Sequence, residues 1–336
     1  MTKESPVLQE ARRIAEEVLF PAALEVDAGD RVPESHLALL AELGFYGMAD
    51  PEEAGLDLPD RASALRLLEI LAGGCLTTTF VWMQHHGAVR ALAESRNRTL
   101  QQNLRPDLRD GKRRAGVAIS AAVHTGPASL QAQQVVGGYL FSGTAPFVTG
   151  WGMIDLLHTA ARDAEGSLVF ALLDAEENEG VTAEPLDLLA VRASGTVTLR
   201  FHRHFVPRDK IIRVLPQTDY LQGDAESLRF NGALALGVAG RAISLLGEDA
   251  GGLTAELDEA RDDLVNATPE DVPAARATGS ELAMRAATAC AVHHGSNTLL
   301  PGTHAQRLVR EATFLLLFGS RPTIRAELLG LLTNGR

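Results

Sequence analysis

Three histidine pairs are the residues of this chain best suited to metal or proton chemistry: His85 with His86, His202 with His204, and His293 with His294. An imidazole can ligate a metal or exchange a proton near neutral pH, so each pair invites a role. His202 and His204 alternate within "GTVTLRFHRHFVP" and on a regular strand would present both rings on one side. Two imidazoles alone seldom hold zinc, and the sequence predicts no metal site. His85 and His86 fall mid-helix among apolar residues, where a buried, hydrogen-bonded histidine is the ordinary role and a place beside a substrate the alternative. His293 and His294 lie near a helix end and can face its negative terminus. Cys75 and Cys290 sit in apolar helical contexts without ligand spacing, so buried thiols are expected rather than a disulfide. No G-x-S-x-G, H-E-x-x-H, C-x-x-C or P-loop occurs. Gly232, Gly237 and Gly240 lie inside a helical pattern and follow no strand, so they form no dinucleotide fingerprint.

The elements that would carry these residues change character twice. Residues 1–112 read as helical, with apolar residues at three- and four-residue spacing in "VLQEARRIAEEVLFPAALEV", "SHLALLAELGFYGM", "ASALRLLEILAGG" and "TTTFVWMQHHGAVRALAES". Pro33 and Ser35 start the second of these helices and Gly44 ends it. Residues 113–213 alternate in "VVGGYLFSGTAPFVT", "DLLHTAAR", "SLVFALLD" and "GTVTLRFHRHFVP", and "VVGGYLFSG" predicts a hairpin with a tight Gly-Gly turn. No helix-length segment separates these strands, so a compact β domain fits better than βαβ units. Residues 214–336 return to helix. "AESLRFNGALALGVAGRAISLLG" is apolar on more than one face, as a central bundle helix would be, whereas "TAELDEARDDLVNA" reads as a solvated acidic helix. The predicted class is mostly α with a β domain inserted between two helical regions.

A formal net charge of -12 argues against nucleic acid as a partner, because phosphate binding needs a basic surface. Hydrophobic residues make up 46% of the chain and charged residues 22%, which suits a sizeable core. No window approaches the run of about 18 apolar residues that a membrane span requires. "MTKESPVLQEARRIAEEVLF" lacks the basic start and apolar run of a secretory signal, so a cytoplasmic location is expected.

Five segments, in order, resemble the acyl-CoA dehydrogenase family. "LLAELGFYGMADPEEAGLDL" is similar to its helix end and Pro-Glu-Glu-x-Gly turn, and "NLRPDLRDGKRRAGVAIS" to its entry into the β domain. "GGYLFSGTAPFVTGWGMIDLLHTAAR" resembles the strand pair containing the family's Trp-x-Thr/Ser flavin contact. "LLAVRASGTVTLRFHRHFVPRDKII" resembles the strand that ends in Val-Pro, and "RLVREATFLLLFGSRPTIRAELL" the last helix pair. The resemblance implies an N-terminal helical domain, a central β-barrel-like domain and a C-terminal four-helix bundle. It also implies FAD, an acyl-CoA or other acyl thioester as substrate, and assembly as a homo- or hetero-oligomer, dimer or tetramer. In that chemistry a base removes the α-proton of the thioester while the flavin accepts the β-hydride. Ile119 and Ser120 correspond to the family's flavin-contacting Ala-Thr stretch, and Phe147, Val148 and Thr149 to Trp-x-Thr.

The resemblance departs from the family where the chemistry lies. Phe318 stands at the usual catalytic glutamate, and an aromatic ring cannot abstract a proton. Some members carry the base on the first long helix of the C-terminal region, where the closest carboxylate here is Glu226; a helix N-terminal carboxylate favoured by the dipole is its ordinary role. The Arg-x-x-Phe-Gly segment that meets the flavin pyrophosphate has no counterpart in "LLGEDAGGLTAELDEARDD", the Gly-Gly-x-Gly turn is shortened to "GSNTLLPGTHAQ", and "SAAVHTGPASLQ" replaces Thr-Glu-Pro-x-x-Gly-Ser-Asp. The leading expectation is a flavin-dependent oxidoreductase that dehydrogenates an acyl thioester. The alternatives are a catalytically reduced partner subunit, a flavin-dependent monooxygenase on the same fold, and a non-catalytic acyl-binding paralogue.

Overall fold

The structure is a computed structural model that describes residues 5–124 and 126–334. Its N-terminal region comprises α1 (Pro6–Ile14), α2 (Phe20–Ala28), α3 (Glu34–Glu42), α4 (Pro51–Ala54), α5 (Arg61–Gly74), α6 (Leu76–Ala93) and α7 (Arg98–Arg109). Two starts follow from capping chemistry: the Leu8 N–H donates to Ser5 Oγ at 3.4 Å and the Ser63 N–H to Asp60 Oδ1 at 2.8 Å. The first amphipathic run is not one regular helix. A π-helical turn, Ala15–Leu19, separates α1 from α2 just before Pro21. Proline has no N–H to give and its ring crowds the preceding turn, so the backbone widens there.

The middle of the chain forms β1 (Ala115–Ala118), the short helix α8 (Ser120–Val123), and then β2 (Leu130–Val135), β3 (Gly138–Val148), β4 (Leu156–Arg162), β5 (Ser167–Asp174), β6 (Val181–Pro185), β7 (Val197–Pro207) and β8 (Ile211–Pro216). These strands make one eight-stranded sheet in the order β6-β7-β3-β2-β4-β5-β8, with β1 running parallel to β4. The sheet wraps round its own core, because Phe141, Leu199 and Phe201 of β3 and β7 pack with Leu157, Val169 and Ala171 of β4 and β5. Two local readings are corrected. Gly138 already pairs with Val135, so the hairpin turns at Val136–Gly137 rather than at Gly-Gly. On β7 the partners step from Phe201 opposite Gly143 to His204 opposite Phe141, leaving one extra residue. Arg203, at φ 50°, is in that bulge, so His202 and His204 do not share a face by simple alternation.

The C-terminal region holds α9 (Gln217–Gln222), α10 (Ala225–Leu246), α11 (Leu253–Asn266), α12 (Val272–His294), α13 (His304–Leu317) and α14 (Pro322–Asn334). Among the described residues α10 and its continuation to Ala250 are long and apolar enough to cross a membrane, but 67% of the most apolar window is buried within the protein. The acidic α11 buries only Leu257, Ala260 and Leu264. Cys75 and Cys290 are buried and unbridged.

The helical and β regions are joined through His85. Its Nδ1 accepts the Ala115 N–H at 3.1 Å, which leaves Nε2 to donate to the Leu108 carbonyl at 2.9 Å. Burial pushes the ring down to about 3, against an ordinary 6.5. The unfolded chain therefore takes up this proton below about 6.5 while the folded protein does not, so stability is lost as pH is lowered from about 6.5 towards 3, by up to about 1.4 kcal/mol per unit. Denaturant unfolding at pH 7 and pH 5 should show a smaller loss for His85→Gln than for the parent. Equal losses would mean that the ring already titrates normally in the fold.

Candidate active site

The end of β3 is bent out of register. Ala145 pairs with Leu199 and Val148 with Val197, so β3 carries an additional residue between them. Phe147 lies in this bulge with φ 59°, a left-handed conformation that costs an aromatic residue on the order of 1–3 kcal/mol. Its ring is 66% exposed. A strained backbone that turns a large apolar ring outward gains nothing for the fold, and bulges of this kind re-aim side chains at functional sites.

The residues on either side are fixed. Val148 is buried with Ala118, Ala121 and Ala145 in the sheet core. The Thr149 hydroxyl shares a buried chain of hydrogen bonds with Thr196, at 3.1 Å, and Ser194, at 2.7 Å from Thr196. The Gly150 and Trp151 N–H groups bond the carbonyls of Ser194 and Gly195, so the segment is sewn to the start of β7. Beside it runs β1, where a Cβ on Gly116 would sit 2.8 Å from the Thr149 carbonyl oxygen; the two backbones approach too closely for a side chain.

β1 leads into Ile119, buried against the helical region, and Ser120, exposed at the first position of α8. The loop after α8 is held from below. Arg162 donates to the carbonyls of Ala122, His124 and Gly126, and the Gln217 amide donates to those of Val123 and His124. These groups place an exposed hydroxyl and an exposed aromatic ring at the ends of neighbouring strands, a combination able to stack on and hydrogen-bond a flat heteroaromatic ring. The residues at this end thus suit the isoalloxazine of a flavin.

The turn between α13 and α14 carries Phe318. Phe318 packs into an aromatic cluster, 4.8 Å from Phe80 and stacked at 5.3 Å on Phe314 between ring centres. Gly319 has φ 55°, a conformation that glycine adopts without penalty. Arg276 of α12, 2% exposed, donates to the carbonyls of Phe318 and Gly319, the latter at 2.8 Å, and so caps α13 with a buried cation. Desolvation brings its guanidinium down to about 10. Arg321 pairs with Asp224, the buried N-cap residue of α10, whose carboxyl is raised chiefly by burial.

Glu226 stands elsewhere. Its carboxylate lies 2.9 Å from Arg61 and 3.4 Å from Arg229. Asn231, whose amide nitrogen would be 3.2 Å from a Cβ on Gly319, marks the side of α10 that meets the turn. Five residues further along a helix is a rotation of about 140°, so the two side chains leave α10 in different directions. Glu226 is therefore not gathered with Phe318. Arg276, Arg162 and the Ser194–Thr196 hydroxyls were not singled out from the sequence; only the arginine amid small residues in "VPAARATGS" offered a signal.

The remaining histidines have structural partners or none. His293 lies 2.9 Å from Asp249, and His294 contacts the Cys290 carbonyl at 2.9 Å in the last turn of α12. A cavity of about 620 Å³ is lined by Leu246, Arg285, Val292 and His293 among others, and one of about 310 Å³ by Leu8, Leu65, Arg66 and Leu264 among others. Neither is lined by residues 119, 120, 147–149 or 318.

A family model described as the acyl-CoA dehydrogenase N-terminal domain matches residues 2–112. Benzylmalonyl-CoA dehydrogenase of Aromatoleum aromaticum is 27% identical over 255 residues, covering 72% of this chain and 67% of that protein. The mitochondrial short-chain specific acyl-CoA dehydrogenase of Bos taurus is 26% identical over 225 residues, covering 61% of this chain and 52%, about half, of that protein's length. A glutaryl-coenzyme A dehydrogenase structure superposes with a TM-score of 0.85 at 18% identity, covering 98% of this chain and 95% of that one, which is a likeness of fold. The N-terminal match, the curated relatives and the shared helix–sheet–helix architecture agree: residues 2–112 match the acyl-CoA dehydrogenase N-terminal domain, and the chain has the acyl-CoA dehydrogenase fold.

Proposed function

We propose that the chain is a flavin-dependent oxidoreductase of the acyl-CoA dehydrogenase type, acting on an acyl thioester and using FAD. The observation that carries this reading is Phe147, a 66%-exposed aromatic ring held at φ 59° in a strand bulge. A bound flavin would supply the two-electron acceptor. Phe147 would offer its ring to the flat heteroaromatic system, while the backbone of Ile119 and Val148 and the hydroxyls of Ser120 and Thr149 would orient its edge. Thr149 would do so while keeping its bond to Thr196, since a hydroxyl both donates and accepts.

The base is where this chain departs from an ordinary dehydrogenase. Glu226 is its candidate, and its ion pairs with Arg61 and Arg229 favour the role of a helix N-terminal carboxylate. Phe318, locked against Phe80 and Phe314, supplies an apolar wall and no proton acceptor. That packing favours a second reading, in which the chain is a catalytically reduced subunit and a partner chain contributes the missing group.

Four experiments test these readings. The purified protein, supplied with FAD, should show a bound-flavin spectrum that bleaches with at least one acyl-CoA; a colourless protein after FAD addition would overturn the oxidoreductase reading. Bleaching only after co-expression with a second dehydrogenase chain would favour the partner-subunit reading. Phe147→Gly should stabilise the flavin-free protein by about 1 kcal/mol through relief of strain, and weaken flavin binding. A loss of stability there would show that the ring serves the fold instead. Glu226→Gln is expected to retain flavin and bleach like the parent, whereas retained flavin with lost bleaching would identify Glu226 as the base.

A further inference from the structure

The helices carry a cavity that the candidate active site does not use. Its walls follow from how α5 and α11 pack on α10. A Cβ on Gly237 would collide with the Glu69 carbonyl oxygen, and one on Gly232 would lie 2.9 Å from the Leu264 side chain. The missing side chains let the three helices approach closely at those two points. Between them α10 presents Ala233 and α5 presents Ala62, and these short side chains help to leave the cavity of about 310 Å³. Its floor is apolar, since Leu8 of α1, Leu65, Leu236 and Leu264 are all buried.

One charged group in the lining is incompletely bonded. Glu69 is 5% exposed, and its hydrogen bonds all fall on Oε1: one from Arg66 at 2.5 Å, and two from Arg261 at 2.9 and 2.6 Å. Oε2 accepts none among the described residues. That oxygen is not sealed among protein atoms, so it opens on the cavity that Glu69 lines. Arg66 uses only Nη1 in its bond to Glu69 and keeps other N–H groups to donate.

These features define a ligand. A carboxylate oxygen this deeply placed gains from a donor brought to it. The charges of Arg66 and Arg261 balance those of Glu69 and Asp262 in the lining, which favours a neutral ligand over an ion that would be desolvated without a counter-charge. The polar head must donate to Oε2 and can accept from Arg66, as a hydroxyl does. The body must be apolar to cover the leucines, and a ring suits the two guanidinium groups through its electron-rich face. The volume is about twice the roughly 150 Å³ in which an engineered apolar cavity holds benzene.

We propose that this cavity is a binding site for a small neutral aromatic alcohol, of which phenol is the simplest. Its ring would lie on the leucine floor, and its hydroxyl would bond Glu69 and Arg66. The assignment is independent of the acyl-thioester reading.

The test is titration of the purified full chain with phenol, toluene and benzoate, followed by ligand-observed NMR and by the shift in thermal unfolding. Phenol should bind saturably and raise the unfolding temperature. Toluene, which lacks the hydroxyl, and benzoate, which adds a charge, should each bind at least about fivefold more weakly. Ala62→Trp, at an exposed position of α5, should fill the mouth and abolish phenol binding. Glu69→Gln should shrink the preference for phenol over toluene several-fold; Arg66→Met should do the same and carries that arm if Glu69→Gln does not fold. No saturable phenol binding, or equal affinity for phenol and toluene, would overturn the site. Phenol binding that survives Ala62→Trp would place the ligand elsewhere and overturn it as well.

Discussion

The fold depends on one buried imidazole. His85 accepts the first N–H of β1 and donates to the end of α7, and so sets where the sheet begins relative to the N-terminal helices. Everything that follows on β1 takes its place from that bond pair: Gly116 against Thr149, Ile119 against the helices, and Ser120 at the surface. A neutral ring is required for both bonds at once, because a protonated imidazole has no lone pair to accept the Ala115 amide. Burial supplies that neutrality.

The candidate site is built from segments that are each held at several points. The Thr149–Trp151 stretch is bonded to Ser194–Thr196, the loop after α8 to Arg162 and Gln217, and the Phe318–Gly319 turn to Arg276. Strain at Phe147 persists because its neighbours on both sides are over-determined. The end of β3 and the start of α8 present an aromatic ring and a hydroxyl to solvent, whereas the Phe318 turn is an aromatic wall backed by Arg276.

The order of helices, sheet and helices was legible in the sequence because each region keeps one hydrophobic period over many residues. The apolar, many-faced pattern of α10 identified the central helix, and the surroundings of His85 identified a buried, bonded histidine. His86 shared those surroundings but has no hydrogen-bond partner among the described residues, a difference that composition cannot express. The bulges at Phe147 and Arg203 were illegible for a related reason. A left-handed residue other than glycine carries no compositional mark, and one inserted residue reverses which side chains share a face, as it does for His202 and His204. The clamps formed by Arg162 and Arg276 connect residues about forty positions apart, beyond the reach of any local pattern.

Arg276 also bears on how the last helices come apart. Its guanidinium is buried and, among the described residues, bonded only to the two carbonyls at the end of α13. If that end frayed alone, a cation would be left inside the bundle without acceptors, so fraying is tied to a shift of α12 as well. The C-terminal helix pair and α12 thus form one cooperative opening unit. The turn that closes the aromatic corner moves as part of the bundle rather than as a loose flap.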